Sequence, residues 1–131
     1  MPDIQSRPDI NRLMNLFYGR IRQEERLGPI FNGSIPEDHW PAHLEKIGDF
    51  WETILLQNPK YRGAPMPAHI RIDQVFPLEK DHFDRWVALF HEAVDELFSG
   101  DVANEAKRRA TLMAGLINFK VEAARRPGFV Q

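Results

Sequence analysis

Apolar residues recur at helical spacing through most of this chain, and no stretch alternates apolar and polar positions with the period of a strand. Ile10, Leu13, Met14, Phe17 and Ile21 share one side of a first helix with Tyr18 beside them, while Arg12, Asn15, Arg20, Arg22 and Gln23 take the other sides. Ser6 suits the N-cap, with Asp9 completing a box-like pattern, and Gly28-Pro29 reads as the stop. Ile30-Phe31 before the Asn32-Gly33 turn predicts an aromatic ring inserted inward at a corner, followed by a short helical turn within residues 34–41. His43, Leu44, Ile47, Phe50, Trp51, Ile54 and Leu55 form a second amphipathic stripe, in which Gly48 suggests close approach of another helix backbone. Irregular loop follows from Gln57 to Pro67. Pro77 is expected to open a third long helix carrying Phe83, Trp86, Val87, Phe90, Val94 and Leu97. Ser99-Gly100-Asp101 then begins a last one, with Val102, Ala106, Ala110, Met113, Leu116, Ile117 and Val121 inward and Pro127-Gly128 as its stop. The pattern predicts an all-α fold of four long helices, as one domain over residues 1–131.

Composition narrows the chemistry. A content of 43% hydrophobic and 11% aromatic residues suffices for a real core, and a net charge of -2 marks neither a nucleic-acid binder nor an anionic-membrane binder. Lys107, Arg108, Arg109, Lys120, Arg125 and Arg126 are read as a solvated face, the last two matched to a helix C-terminus. Cysteine is absent, which excludes disulfides, iron–sulfur clusters, thiolate-ligated haem and covalent haem attachment. The N-terminus has no apolar signal core and no run is long enough to cross a bilayer, so a soluble cytoplasmic protein is expected.

The most informative residue is His69. It lies between a proline-rich loop and another breaker, with Pro67 suited to the first position of a helix. A helix this short is not stable on its own propensity and must be fixed by what it packs against; a prosthetic group bound through His69 would do that. Rival chemistries are weaker. His39 and His43 have metal-ligand spacing, but Pro41 intervenes and no Glu follows His39. Phosphate-binding glycine loops and the Gly-x-Ser-x-Gly string are missing. His82 and His91 are expected to face solvent, as are Glu24-Glu25 and Glu37-Asp38.

A haem site needs one imidazole for the iron, an apolar slot for the porphyrin and a few polar groups at the open coordination position. His69 is the ligand candidate. Phe31, Phe50, Trp51, Ile54, Phe83, Phe90, Met113 and Ile117 are wall candidates, to which Ile47, Met66 and Ile72 are added. Tyr18, His43 and Trp86 are the polar candidates, and Arg62 and Arg71 flank the His69 turn where haem propionates would lie. Pattern alone leaves alternatives open: a surface or hydrogen-bonded His69, a Tyr18 hydroxyl on a backbone carbonyl, Trp86 as core, and His43 as an ordinary first-turn residue.

Taken together, Leu13-Met14-x-x-Phe17-Tyr18, Leu27-Gly28-Pro29-Ile30-Phe31, His43-x-x-x-Ile47-Gly48-x-Phe50-Trp51, Pro67-Ala68-His69 and Phe83-x-x-Trp86-x-x-x-Phe90 resemble the truncated haemoglobins, specifically their group III branch. The resemblance spans nearly the whole chain. It implies a two-over-two helical sandwich, a shortened globin enclosing haem b, in which the helix bearing the iron-binding histidine shrinks to about a turn. By position, His69 matches the proximal histidine, Tyr18 the distal tyrosine, Trp86 the distal-side tryptophan, Phe31 the corner phenylalanine packed on the porphyrin, and His43 the distal-entry histidine. Trp51 matches an aromatic near the haem. The lack of glycine pairs before His69 agrees with group III.

The resemblance further implies reversible binding of dioxygen or another diatomic ligand such as nitric oxide or carbon monoxide. Tyr18 and Trp86 would donate to the partial negative charge the ligand acquires, Trp86 more reliably because an indole N–H can only donate. His43 is expected either to gate the pocket or to bind the ferric iron. Two alternatives stand beside this. One is a redox enzyme, peroxidase-like or oxidising nitric oxide with a separate reductase; the other is a haem-free helical interaction module. A monomer or weak dimer is expected.

Overall fold

The computed structural model describes residues 1–61, 69, 72–73 and 77–125. Helix α1 (Arg7–Gln23) buries Ile10, Leu13, Met14, Phe17, Tyr18 and Ile21, the stripe read from the sequence. Its N-terminus differs from expectation. Ser6 holds the extended N-cap conformation without a side-chain cap bond, and the Asp9 carboxylate instead accepts the Gln5 N–H at 2.9 Å.

Gly28-Pro29 opens a helix rather than closing one. The first helix ends at Gln23, and α2 (Gly28–Ser34) begins with Pro29 in its first turn, where a missing N–H breaks no hydrogen bond. Glu24, expected in solvent, accepts the Arg26 and Leu27 N–H groups at 2.9 and 2.8 Å and so fixes the entry to α2. A Cβ at Gly28 would lie 2.7 Å from the Arg22 carbonyl oxygen, so only glycine lets the chain fold back this closely. The anticipated Asn32-Gly33 turn is part of α2.

A 3-10 turn, Glu37–His39, supplies the expected corner, and α3 (Trp40–Leu56) follows. What approaches Gly48 is a side chain and not a helix backbone. A Cβ there would lie 2.6 Å from an Arg7 guanidinium nitrogen, and that guanidinium donates to Asp49 at 2.7 Å, to Glu52 at 2.8 Å and to the Glu45 carbonyl at 3.0 Å. Arg7 thereby ties the start of α1 to the middle of α3.

Helix α4 (Lys80–Leu97) starts three residues later than Pro77 suggests: Glu79 is its N-cap, in extended conformation, and before it the Leu78 N–H donates to the Asp73 carboxylate at 2.8 Å. Helix α5 (Asp101–Ala124) is capped from afar: Asp3 accepts the Val102 and Ala103 N–H groups at 2.9 and 2.8 Å. Its inner face is built of small residues, Ala103, Ala106, Ala110 and Ala114, which allow α4 to come close. Leu116, expected inside, is 53% exposed, since two positions past Ala114 turns a side chain about 200° around the helix.

Helix α1 packs on α3 and on α4, and α4 packs on α5, so two helical pairs lie one over the other. Among the described residues there is no strand and no helix long and apolar enough to cross a membrane.

Candidate functional site

Between the two pairs lies a cavity of about 230 Å³, open at one side and walled almost entirely by apolar and aromatic groups. Of the sequence candidates, Phe31, Ile47, Phe50, Trp51, Ile72, Phe83, Met113 and Ile117 border it, and Tyr18, His43, Trp86 and His69 border the same space. Each comes from a different stretch of backbone. Tyr18 sits on the inner stripe of α1, His43 and Trp51 two turns apart on α3, Trp86 on α4, and His69 is helical and half-buried.

Two wall candidates do not border the cavity. Phe90 is fully buried behind it, stacked on Trp51 at 5.0 Å and on Trp86 at 5.7 Å, and Ile54 is half-buried against the core. Arg62, Met66 and Arg71 lie outside the described residues. The wall also includes residues that the pattern did not single out for it: Leu27, Ile30, Ser34, Ile35, Lys46, Tyr61, Leu78, His82 and Ala114. His82 had been expected in solvent. Its Nδ1 accepts the Glu79 N–H at 2.9 Å in the first turn of α4, and the residue borders the cavity. His91, also expected in solvent, is half-buried with Nε2 3.0 Å from the Thr111 hydroxyl.

The polar groups form an aromatic cluster. Tyr18 lies edge-on to Phe17 at 4.7 Å, tilted to Phe31 at 5.9 Å and edge-on to His43 at 6.3 Å, and Phe17 is edge-on to Trp86 at 5.4 Å. Behind them Trp40 packs 5.4 Å from His43, and the Arg22 guanidinium lies over the Trp40 ring at 4.5 Å. Burial pushes the Tyr18 phenol well above its ordinary range, against the hydrogen-bonding influence of the Trp86 side chain, so its hydroxyl keeps its proton. Burial first, then the charges of Lys46 and His69, pull the His43 imidazole below its usual value and favour its neutral form.

Among the described residues no three His, Cys, Asp or Glu side chains gather as a metal cage. An apolar, aromatic slot bordered by the His69 imidazole and by the polar tips of Tyr18, Trp86 and His43 suits a flat hydrophobic group that brings its own metal. The residues present therefore fit a haem.

The family comparison decides the matter. Residues 3–121 match the model of the family described as bacterial-like globin, and the chain is 34% identical over 107 residues to the group 3 truncated hemoglobin ctb of Campylobacter jejuni, covering 80% of this chain and 82% of that protein. This chain is a bacterial-like globin of the group III truncated haemoglobins. The crystal structure of a group III truncated hemoglobin from Campylobacter jejuni superposes with a TM-score of 0.83 at 30% identity, over 92% of this chain and 95% of that one. A haem-binding globin that takes small diatomic ligands follows from the family, and the reading as a haem-free helical module is set aside.

Proposed function

We propose that this globin binds haem b without a covalent link, through His69 as the proximal ligand to iron, and that Tyr18, Trp86 and His43 govern what binds on the other side. The observation that carries this is the shared cavity: His69, Tyr18, Trp86 and His43 border one apolar space. When bound, haem would supply an iron able to take up dioxygen, nitric oxide or carbon monoxide reversibly. The rest is the work of this chain. Phe31, Ile47, Phe50, Trp51, Ile72, Phe83, Met113 and Ile117 exclude water from the macrocycle faces, and the charges of Arg62 and Arg71 suit its carboxylates. The Trp86 indole donates to negative charge gathering on a ligand, and the Tyr18 hydroxyl does so in its protonated form. His43, neutral and half-buried, stands between pocket and solvent as a gate.

The test is an absorption spectrum of the purified protein, oxidised and dithionite-reduced. A Soret band that is lost or shifted in His69→Ala supports the assignment, and one unaltered by that substitution removes it.

A second reading, redox detoxification, draws on the same three polar groups, because a strongly hydrogen-bonded pocket holds dioxygen too firmly for a good carrier and assists peroxide cleavage. Rapid nitric oxide consumption supported by a reductase favours the enzyme; slow turnover with fast dioxygen exchange favours reversible binding. On either reading the chain acts as one cytoplasmic domain, a monomer or weak dimer.

A further inference from the structure

Asp73 and Glu52 are the buried charged residues among those described, and Glu52 is accounted for by Arg7. Asp73 has a different partner. The Arg125 guanidinium grips both of its carboxylate oxygens, Nε to Oδ2 at 3.0 Å and Nη2 to Oδ1 at 2.5 Å, and the same Nη2 donates to the Leu78 carbonyl at 2.8 Å. Leu78 closes the ring by donating its N–H to Asp73 Oδ1 at 2.8 Å. Arg125, read from the sequence as a solvated residue matched to the helix end, is thus a fork holding two backbone segments at once.

The position of this ring gives it a role. Asp73 comes four residues after His69 and both are helical; Leu78 borders the cavity; Arg125 is the C-cap of α5, whose Met113, Ala114 and Ile117 line the cavity wall. Three walls therefore meet at one ion pair, whose carboxylate is buried at 7% exposure while its guanidinium is 37% exposed. Removing the arginine would leave the buried Asp73 carboxylate without its charged partner. Asp73 is only four residues along the chain from His69, so what holds Asp73 bears on where His69 can stand.

We propose that the Asp73–Arg125 pair is a positioning device for His69, setting the reach and tilt of its imidazole toward the iron and thereby the strength of that bond. The proposal rests on His69 being the ligand. Its effect is of the kind exerted by outer partners of metal ligands, whose loss typically weakens metal holding by about ten- to a hundredfold.

The test compares haem-loaded wild type, Arg125→Ala, Arg125→Lys and Asp73→Asn. The iron–imidazole stretching band of the ferrous protein is read by resonance Raman, and haem loss by transfer to excess apomyoglobin. Arg125→Ala is expected to shift the band and to speed haem loss about tenfold. Arg125→Lys should recover part of each, since an ammonium restores the charge without the fork. A folded Arg125→Ala protein, with unchanged circular dichroism, wild-type band and wild-type haem loss overturns the proposal. Should Arg125→Ala not fold, the isosteric Asp73→Asn decides on the same two readouts. His69→Ala is scored separately: an unaltered axial band there removes the ligand assignment itself, whatever the Arg125 variants do.

Discussion

The Trp86 indole and the Phe90 ring lie nearly parallel, 15° apart, with centroids 5.7 Å from each other. Phe90 is fully buried and also stacks on Trp51, so a single core side chain sets the plane of two aromatics that border the cavity. Phe90→Ala is expected to cost about 3–5 kcal/mol in denaturant unfolding, as for other large-to-small core changes. Phe90→Leu should cost less and still loosen Trp86, seen as an altered dioxygen dissociation rate. A loss below about 1 kcal/mol in the alanine variant would show that the stack carries little.

Trp86→Phe keeps the ring and removes the N–H. Losing one hydrogen bond to a partly charged ligand is worth about 1.5 kcal/mol, so dioxygen release should accelerate roughly tenfold. Stopped-flow displacement measures this. An unchanged or slower rate would reassign the donor role to Tyr18, whose hydroxyl keeps its proton across the physiological range.

Much of this arrangement is legible in the sequence. The α1 stripe, the aromatic-rich helix with Trp86 and the alanines of α5 follow from periodicity, because one buried face of a helix leaves a direct trace in residue spacing. Periodicity does not tell a cavity wall from a core filler. Phe90 and Phe83 occupy the same stripe, yet Phe83 borders the cavity and Phe90 lies behind it. Nor does it say which way a Gly-Pro pair acts, since proline is as suited to starting a helix as to following one. His82 and Arg125 are legible only after folding: one is placed by a backbone hydrogen bond in a helix's first turn, the other by a carboxylate 52 positions away in sequence.

Arg7 and Gly48 should be energetically coupled. Alanine in place of a helical glycine ordinarily gains about 1 kcal/mol, but here a Cβ would meet the Arg7 guanidinium at 2.6 Å and disturb its bonds to Asp49 and Glu52. Gly48→Ala is expected to be nearly neutral in wild type and stabilising by about 1 kcal/mol in an Arg7→Met background. A double-mutant cycle of urea midpoints checks this; equal effects in both backgrounds would mean the two do not interact.

Acid should weaken the link between the N-terminus and α5. Desolvation raises the Asp3 carboxyl, but hydrogen bonds from Val102, Ala103 and Ile4 outweigh it and hold the group below its ordinary value. A depressed folded-state pKa means the stabilisation is complete above the unfolded value of 3.8 and is lost as pH falls through the folded one. Asp3→Ala is expected to cost about 1 kcal/mol at pH 7, as for loss of a helix cap, and the difference from wild type should shrink below about pH 4. A difference that stays constant down to pH 2 would contradict this.

All three tryptophans of the chain sit around one chamber: Trp51 and Trp86 in its wall, and Trp40 one ring behind at 5.4 Å from His43. Their ultraviolet emission would overlap a porphyrin's absorption at close range and be quenched by energy transfer. Brightness therefore becomes a built-in gauge of occupancy: dark when the chamber is filled, luminous when it empties, with no added dye.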